Sequence, residues 1–511
     1  MIRTSNTHPL EIASIQAGSG LGRVGLTFCP GKHQARAATG AWERDLSVDV
    51  AAISHWGAAA VVTLLEPAEL NALSVPSLGE EVRRHHMDWL HLPIADVSVP
   101  CERFELQWQE AGAGLRARLR DGFDVLVHCK GGLGRAGMIA ARLLVELGRE
   151  PGEAIRLVRS VRPGAIETVA QERHVRAARL QDEPVPLRSP DATRNHALGA
   201  LVGLAVGDAL GTTLEFRPRD TYEPLTDITG GGPFRLQAGE WTDDTAMALA
   251  LADSLLACPE LDQADLMARF WSWRHDGTYS CTGKCFDIGA TVSAALNRWN
   301  KTGDPAAGSA DPMSAGNGAL MRLAPVALRW WHDRNKLIDV AIRQSATTHQ
   351  APEALSASAA FATMLAEAIS GEPRSSVLKP QKGDYSGAIS SIMRGSWRGK
   401  HRNKVQSSGY VAHSLEAALW ATGRTANFKD AVLLAANLGG DADTTAAITG
   451  QLAGALYGIS AIPPEWVGRL AWGERIKRYA NELLEESLKS YGPGAASVSQ
   501  AYHRSKASNV D

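Results

Sequence analysis

The chain lacks several features that would assign it to a membrane or to a polyanionic partner. No run of about 18 apolar residues is present, so no membrane-spanning helix is expected. Residues 1–20 have neither an apolar core nor a cleavage pattern, which argues against a secretory signal. The formal net charge of the 511 residues is −2, so no nucleic-acid or membrane partner is expected.

Cysteine is also scarce. The six cysteines are scattered and form no disulfide framework, which fits a reducing compartment and predicts a cytoplasmic protein. Cys281 and Cys285 lie four residues apart, but no second pair stands nearby to complete a structural metal site.

The length of the chain predicts more than one domain. Three prolines at positions 184, 186 and 190 mark a stiff, extended segment. We therefore expect a first domain over 20–180, a proline-containing linker over 181–194, a second domain over 195–490 and a disordered tail over 491–511.

The first domain alternates strand-length apolar runs with helical segments. Residues 1–45 are poor in pattern, with glycine-rich turns around 18–25. Strands are predicted near 59–65, 89–94 and 124–128, and helices near 45–57 and 101–120. This alternation is typical of an α/β sheet with parallel pairs.

A glycine-rich loop follows the last of these strands. Cys129 opens the loop, Arg135 comes six residues later, and the apolar helix 138–147 follows. Such a loop directs backbone N–H groups at one point, and the start of a helix adds partial positive charge. We expect Cys129 to be a thiolate nucleophile and Arg135 to grip two phosphate oxygens.

The segment His128–Arg135 resembles the signature of cysteine-dependent phosphatases of the dual-specificity class, and most resembles the cyclin-dependent-kinase-inhibitor-3 type. Similar segments at 92–96 and 164–168 extend the likeness over about 20–180. The resemblance implies Cys129 as nucleophile, Arg135 as phosphate clamp and Asp96 as general acid. Ala136 departs from the pattern, since the family usually has Ser or Thr there to help the thiolate leave. The domain is then a slow phosphatase or a phosphate-binding module.

The second domain has a different composition, with regularly spaced glycines and many alanines. Gly203, Gly207 and Gly211 recur every four residues and form one stripe on a helix, which allows close helix packing. Asp208 lies beside the stripe and is expected to cap or to order a loop. Alanine-rich helical segments follow, among them 247–256, 288–299, 318–330 and 446–457. No strand pattern competes, so the domain is predicted to be all-α.

Two acidic clusters stand at the starts of helices in this domain. Asp441, Asp443 and Thr444 follow two glycines, and Thr242, Asp243 and Asp244 stand at the second start. Oxygen ligands without His or Cys suit Mg²⁺ or Mn²⁺. An N-cap would explain either cluster alone. Both clusters together predict a site for two divalent cations that activate a water.

The order of motifs in this domain resembles the ADP-ribosylglycohydrolase family, of the dinitrogenase-reductase-activating type. The likeness covers about 195–480 and rests on segments at 207–215, 241–245, 285–289, 314–320, 347–349, 409–416 and 440–444. It implies hydrolysis of the N-glycosidic bond between ADP-ribose and an acceptor, typically arginine, at a dinuclear Mg²⁺ or Mn²⁺ site.

The same resemblance assigns roles to individual residues. The implied metal ligands are Thr242, Asp243, Asp244, Asp441, Asp443 and Thr444. Glu215 and Asp287 are the implied acid/base groups, and Gly316, Asn317, Gly318, His349 and Tyr410 are implied to contact the substrate. A satisfied core histidine at 349 and a packing tyrosine at 410 remain alternatives.

The sequence therefore predicts a bifunctional, two-domain hydrolase that acts on an ADP-ribosylated protein and on a phosphorylated protein. A first alternative makes the N-terminal domain a phosphate-binding module that brings the hydrolase to its target. A second makes the helical domain a non-catalytic ADP-ribose binder, which the complete ligand set disfavours. The basic stretch 373–408 is interpreted as a solvated face, with contact to a phosphorylated or nucleotide-bearing partner as the alternative.

Overall fold

The computed structural model describes residues 2–37, 40–85, 87–182, 189–381 and 383–491. The contacts within the chain divide it into two compact units. The first unit comprises Met1–Val185, Arg398–Lys404 and Gly423–Ala426, and the second comprises Pro186–Trp397, Val405–Thr422 and Asn427–Asp511. Residues 183–188 of the expected linker and 492–511 of the expected tail lie outside the described residues.

The first unit is an α/β domain, as predicted. Its described strands are β1 (Ala13–Gln16), β2 (Arg23–Phe28), β3 (His33–Gln34), β4 (Trp42–Glu43), β5 (Ala58–Thr63), β6 (Asp88–His91) and β7 (Asp124–Cys129). Its helices are α1 (Leu46–Trp56), α2 (Pro67–Ala72), α3 (Leu78–Arg84), α4 (Glu102–Arg120), α5 (Gly134–Glu146), α6 (Pro151–Val161) and α7 (Val169–Ala177).

Five of these strands form one sheet in the order β1–β2–β7–β5–β6. The β1–β2 pair is antiparallel, and the other three pairs are parallel. Every residue of β5 and β7 is buried, because apolar side chains cover both faces of these central strands. Parallel strands end at one edge of the sheet, and Cys129, the last residue of β7, lies at that edge.

The sequence analysis missed β1 and β2. Gly25 interrupts the apolar run of β2, and that glycine made the segment look like a turn. A Cβ on Gly25 would lie 2.8 Å from the Trp56 ring and 2.9 Å from the Ile12 side chain. The glycine is therefore a strand residue that leaves room for packing across the sheet.

The second unit is helical, and no strand occurs in its described residues. The helices from residue 190 onward are α8 (Pro190–Gly211), α9 (Asp243–Ala257), α10 (Gln263–Asp276), α11 (Ala290–Thr302), α12 (Ala324–Trp330), α13 (Arg334–Ala346), α14 (Pro352–Ile369), α15 (Arg374–Val377), α16 (Gly387–Met393), α17 (Val411–Arg424), α18 (Phe428–Ala436), α19 (Ala442–Tyr457), α20 (Pro464–Arg469) and α21 (Gly473–Tyr491).

One helix in this unit starts later than predicted. The expected helix over 318–330 begins at Ala324, and the preceding residues form turns around Asn317. Pro325 stands in the first turn of α12, where its missing N–H costs nothing.

Helices α8 and α19 pack against each other along the predicted glycine stripe. A Cβ on Gly199, Gly203, Gly207 or Gly211 would lie 2.2–2.4 Å from a carbonyl oxygen of α19. Residues 190–214 are long and apolar enough to cross a membrane by composition, but 89% of their most apolar stretch is buried inside the unit. The apolar character of α8 is therefore that of a core helix.

Candidate active site

Both acidic clusters lie where the sequence predicts them, at the starts of two helices. Asp243 and Asp244 are the first residues of α9, and Asp441 is the N-cap of α19. The Thr242 hydroxyl lies 3.2 Å from Asp244 Oδ2 and 3.4 Å from Asp443 Oδ2. The Thr444 hydroxyl lies 3.5 Å from the same Asp244 oxygen. The two helix starts thus form one cluster.

The carboxylates of this cluster are withdrawn from water. Asp243, Asp244 and Asp443 are 7%, 0% and 2% exposed. Burial raises the pKa of Asp243 and of Asp244 well above the usual value, and the neighbouring charges of Asp443 and Asp208 add to the effect. Asp244 Oδ1 is sealed from solvent and has no hydrogen-bond partner among the described residues. An unpaired buried oxygen among like charges fits a bound cation.

Two groups of three carboxylates bring their oxygens within 4.8 Å of one another. The first consists of Asp208, Asp244 and Asp443, and the second of Glu215, Asp441 and Asp443. Because Asp443 belongs to both, the described residues could hold two hard cations side by side, with oxygen ligands alone.

The sequence analysis expects Asp208 to cap or to order a loop rather than to bind metal; its hydrogen bonds are those of a cap, and its carboxylate also belongs to the first of these groups. Its Oδ1 accepts hydrogen bonds from the Thr242 backbone and hydroxyl, both at 2.9 Å. Its Oδ2 accepts from the Thr245 backbone at 2.9 Å and from the Thr245 hydroxyl at 2.6 Å. These bonds pair two of the free N–H groups at the start of α9. Asp208 therefore fixes α8 to the first turn of α9.

Glu215 plays a similar part at the other helix. It is 4% exposed, and its Oε2 accepts from the backbone N–H of Ala442 at 2.7 Å and of Asp443 at 3.3 Å. Burial, and next the charge of Asp443, raise the pKa of Glu215 to about 12. The sequence did not predict this contact between Glu215 and the start of α19.

Asp287 lies on a strained loop beside the cluster, with a φ of 59°. A non-glycine residue in this left-handed region is uncommon and often marks a functional site. Burial raises the pKa of Asp287 to about 11, and the charges of Asp243 and Asp443 contribute. The structure thus brings Asp287 to the same carboxylates as Glu215.

Asn317 joins the glycine loop to the cluster. Its amide nitrogen donates to Asp441 Oδ2 at 2.6 Å and to the Ser414 hydroxyl at 2.8 Å. The Asn317 backbone N–H donates to the Gly409 carbonyl at 3.1 Å. Gly316 and Gly318 flank it, so the loop predicted to surround ADP-ribose lies directly on a metal-ligand candidate.

His349 and Tyr410 both contact this loop. His349 is 2% exposed, and its ring packs against Gly316 and Gly318. Burial, and next the charge of Arg322, lower the pKa of His349 to about 3, so the imidazole is neutral. Tyr410 pairs with Gly316 in a backbone bridge and donates its hydroxyl to Glu353 Oε2 at 2.5 Å.

Glu353 was missed by the sequence analysis. It stands in the first turn of α14, where an acidic residue is ordinary, so it gave no signal. In the structure it also accepts from the Ala388 backbone at 2.6 Å. Glu353 therefore ties the Tyr410 hydroxyl to the start of α16.

A second candidate site lies at the carboxyl edge of the sheet in the first unit. Cys129 is 4% exposed, and its sulfur accepts a hydrogen bond from the Gly132 backbone at 3.3 Å. Arg162 donates to the carbonyls of Gly131 and Gly132 and so braces the loop. The buried His128 bonds to the Thr63 hydroxyl at 2.8 Å.

Arg135 returns to this loop from α5, but its terminal nitrogens are engaged elsewhere. Nη1 and Nη2 donate to the two oxygens of Glu69 at 2.6 and 2.9 Å, and Nη2 lies 2.8 Å from Asp96 Oδ1. Nη1 also donates to the Ile94 carbonyl at 2.9 Å. Nε has no partner among the described residues. The predicted clamp and the predicted acid are therefore in contact, and Glu69, which the sequence analysis missed, orients the clamp.

Two family models match the chain. Residues 189–492 match the family described as ADP-ribosylglycohydrolase, and residues 43–175 match the Swiss Army Knife protein, DSP-PTPase phosphatase domain family. The ADP-ribosylarginine hydrolase Tri1 of Pseudomonas putida (strain GB-1) is 46% identical over 299 residues, which cover 58% of this chain and 80% of that protein.

Two further proteins are similar to this chain over nearly their whole length. The ADP-ribosyl-[dinitrogen reductase] glycohydrolase of Rhodospirillum rubrum is 34% identical over 57% of this chain and 97% of its own. A solved structure of an ADP-ribosylglycohydrolase-related protein complex is 40% identical, with a TM-score of 0.52, over 58% of this chain and 99% of its own. The chain is therefore a hydrolase of the ADP-ribosylglycohydrolase family, with a DSP-PTPase phosphatase domain at its N-terminal end.

Proposed function

We propose that the helical domain releases ADP-ribose from modified arginine side chains of proteins in a divalent-cation-dependent reaction. The contact between the two acidic helix starts carries this proposal. It is supported by the 46% identity to a protein named as an ADP-ribosylarginine hydrolase. The oxygen-only ligand set favours Mg²⁺ or Mn²⁺.

In this proposal Thr242, Asp243, Asp244, Asp441, Asp443 and Thr444 hold the cations. Two cations bound there would polarise a water and orient the ribose hydroxyls. Asn317 would hold Asp441 in place through its 2.6 Å hydrogen bond while the Gly316–Gly318 loop receives the nucleotide.

We assign the transfer of the proton to Glu215 or Asp287, the buried carboxyl groups beside the cluster. The bond between the anomeric carbon and the guanidine nitrogen breaks, the water's hydroxyl joins that carbon, and the guanidine leaves with a proton. One of these carboxyl groups carries the proton to the guanidine, and bound cations would supply the second acid/base role.

The test is release of free ADP-ribose from an ADP-ribosylarginine protein with Mn²⁺, with Mg²⁺ and with EDTA. Asp243→Ala should remove the activity, whereas the exposed Asp304→Ala should retain it. Activity that survives both EDTA and Asp243→Ala would overturn the cation mechanism.

We further propose that the N-terminal domain acts on a phosphorylated protein through Cys129. The Cys129 sulfur attacks phosphorus, the N–H of Arg135 Nε donates to one phosphoryl oxygen, and Asp96 protonates the leaving oxygen as its bond to phosphorus breaks. Ala136 supplies no hydroxyl to the second step, hydrolysis of the phosphocysteine.

The second candidate for this domain is a phosphate-binding module that brings the hydrolase to its target. Ala136 favours it, because binding a phosphate does not need the hydroxyl that hydrolysis of the phosphocysteine uses. A steady multiple-turnover rate that is lost in Cys129→Ser would exclude this candidate.

Six free cysteines support the proposal that both activities operate in the cytoplasm.

A further inference from the structure

Arg322 is fully buried beside the glycine loop and makes no ion pair with the described residues. It is 0% exposed. Its Nε donates to Gln344 Oε1 at 3.0 Å, and its guanidinium lies 4.6 Å from the centre of the Phe270 ring. Gln344 in turn donates to the Ala319 carbonyl at 3.1 Å. The hydrogen-bond partners of this buried cation are neutral, and the nearby charge of Asp243 offsets only part of the cost of burying it.

Nη2 of Arg322 reaches the turn that precedes His349. It donates to the Thr348 hydroxyl at 2.9 Å and to the Thr347 hydroxyl at 3.3 Å. The Thr347 hydroxyl donates its own proton to the Gln344 carbonyl at 2.7 Å. The Thr348 hydroxyl instead lies 2.8 Å from Nδ1 of His349. The two threonines therefore share one arginine, but only Thr348 touches the imidazole.

This arrangement selects one tautomer of His349. Thr348 is 0% exposed, and its oxygen already accepts from Arg322. If Nδ1 carried the proton, the Thr348 hydroxyl would have no acceptor for its own hydrogen among the described residues. When the hydroxyl donates to Nδ1, its hydrogen is paired, and the proton of the neutral imidazole then stands on Nε2.

The protonated Nε2 faces the glycine loop. It lies 3.0 Å from the position of a Cβ on Gly316 and 3.2 Å from that on Gly318. Nε2 has no hydrogen-bond partner among the described residues, and His349 is 2% exposed. The ring thus presents one unused N–H at the place where ADP-ribose is proposed to bind.

We propose that Arg322 and Thr348 are positioning residues that hold His349 as the Nε2–H tautomer, which donates a hydrogen bond to an oxygen of the bound nucleotide. This inference rests on the proposed function, because it takes ADP-ribose as the ligand of the Gly316–Gly318 loop. The neutral imidazole of His349 carries one ring N–H, on Nε2. That N–H recognises an acceptor oxygen through the direction of its hydrogen bond and adds no charge to the site.

The chain offers matched variants for the test. Thr348→Val keeps the shape and removes the hydroxyl that reaches Nδ1, and Thr348→Ser restores a hydroxyl. Thr347→Val removes the other hydroxyl on the same guanidinium without touching His349. We expect Thr348→Val to weaken ADP-ribose binding roughly three- to tenfold by calorimetry, with Thr348→Ser and Thr347→Val close to wild type.

Nitrogen-15 spectra of histidine-labelled protein give a readout that a folding defect would not produce. Wild type and Thr347→Val should show the Nε2–H pattern for His349, assigned by its loss in His349→Gln, and Thr348→Val should lose that pattern.

The effect of Thr348→Val on the affinity for ADP, measured beside its effect on the affinity for ADP-ribose, locates the acceptor oxygen. An effect on both ligands places it on the diphosphate, and an effect on ADP-ribose alone places it on the distal ribose.

Equal affinities of Thr348→Val and Thr347→Val, or an Nδ1–H pattern in wild type, would overturn the inference. Failure of the proposed function is distinguishable, since wild-type protein would then bind no ADP-ribose while the tautomer pattern could still be measured.

Discussion

Gly203 of α8 and Gly450 of α19 touch through their backbones. A Cβ on Gly203 would lie 2.3 Å from the Gly450 carbonyl oxygen, and a Cβ on Gly450 would lie 2.0 Å from that of Gly203. No real side chain tolerates such distances, so the two helices pack at the closest approach that glycine permits. One and a half turns further along α8 stands Asp208, and two turns before Gly450 on α19 stands Asp443. The glycine contact therefore sets the spacing within the carboxylate cluster.

A single methyl group at this contact should be damaging. We expect Gly203→Ala to lower the free energy of unfolding of the helical unit by roughly 3 kcal/mol, because the carbonyl of a neighbouring helix cannot move aside. Gly468→Ala is the matched control: Gly468 lies in α20, and its Cβ would meet nothing within 4 Å. That variant should be neutral or more stable by up to about 1 kcal/mol. Urea unfolding of both variants checks the prediction, and equal midpoints would contradict it.

The glycine stripe illustrates what the sequence makes visible. Residues four apart share a helix face, so the sequence alone places Gly203, Gly207 and Gly211 together, and it also places the acids at the starts of α9 and α19. These signals are local, and each lies within a few residues along the chain.

The contacts that the sequence hid are long-range. Glu69 meets Arg135 across 66 residues, and Glu353 meets Tyr410 across 57. Both acids stand in the first turns of helices, where a carboxylate is ordinary, so nothing in the local pattern separates them from caps. Only the fold shows which surface carboxylate is turned toward a functional side chain.

Cation binding should stabilise the helical unit. The buried carboxylates repel one another, and Asp244 Oδ1 has no partner among the described residues. We expect Mn²⁺ or Mg²⁺ at about 100 times its Kd to add roughly 3 kcal/mol to the free energy of unfolding, with a raised Tm. Asp244→Asn should abolish this response, whereas the exposed Asp304→Asn should keep it. A wild-type Tm that is unchanged by cations and by EDTA would refute the prediction.

Glu69 should matter to phosphate binding in the first unit. Glu69→Gln removes the two-oxygen grip on Arg135, so we expect a loss of about tenfold or more in kcat/KM for p-nitrophenyl phosphate. Glu80→Gln, an exposed change on α3, is the control.

The same pair predicts a pH dependence. Burial alone would raise the pKa of Glu69, but the hydrogen bond and charge of Arg135 outweigh it and the pKa is lowered. A carboxylate with a lowered pKa stabilises the fold above its usual titration range and loses that effect as pH falls. The stability difference between wild type and Glu69→Gln should therefore shrink from pH 7 toward pH 3, as followed by thermal unfolding. A difference that grows on acidification would contradict the assigned ion pair.

Ala136 should make dephosphorylation of Cys129 the slow step. Ala136 is 0% exposed at the start of α5, one residue after the clamp. We expect wild type to release one equivalent of p-nitrophenol in a burst and then to turn over slowly, with a phosphocysteine adduct visible by mass spectrometry.

Ala136→Ser supplies the hydroxyl that helps the thiolate leave, and should raise the slow rate on the order of tenfold to a hundredfold. Ala140→Ser, one turn further along the same buried helix, adds the same hydroxyl away from the sulfur and should not raise it. A burst that survives in Cys129→Ser would exclude this cysteine as the nucleophile, and the absence of both burst and turnover in wild type would favour the phosphate-binding module.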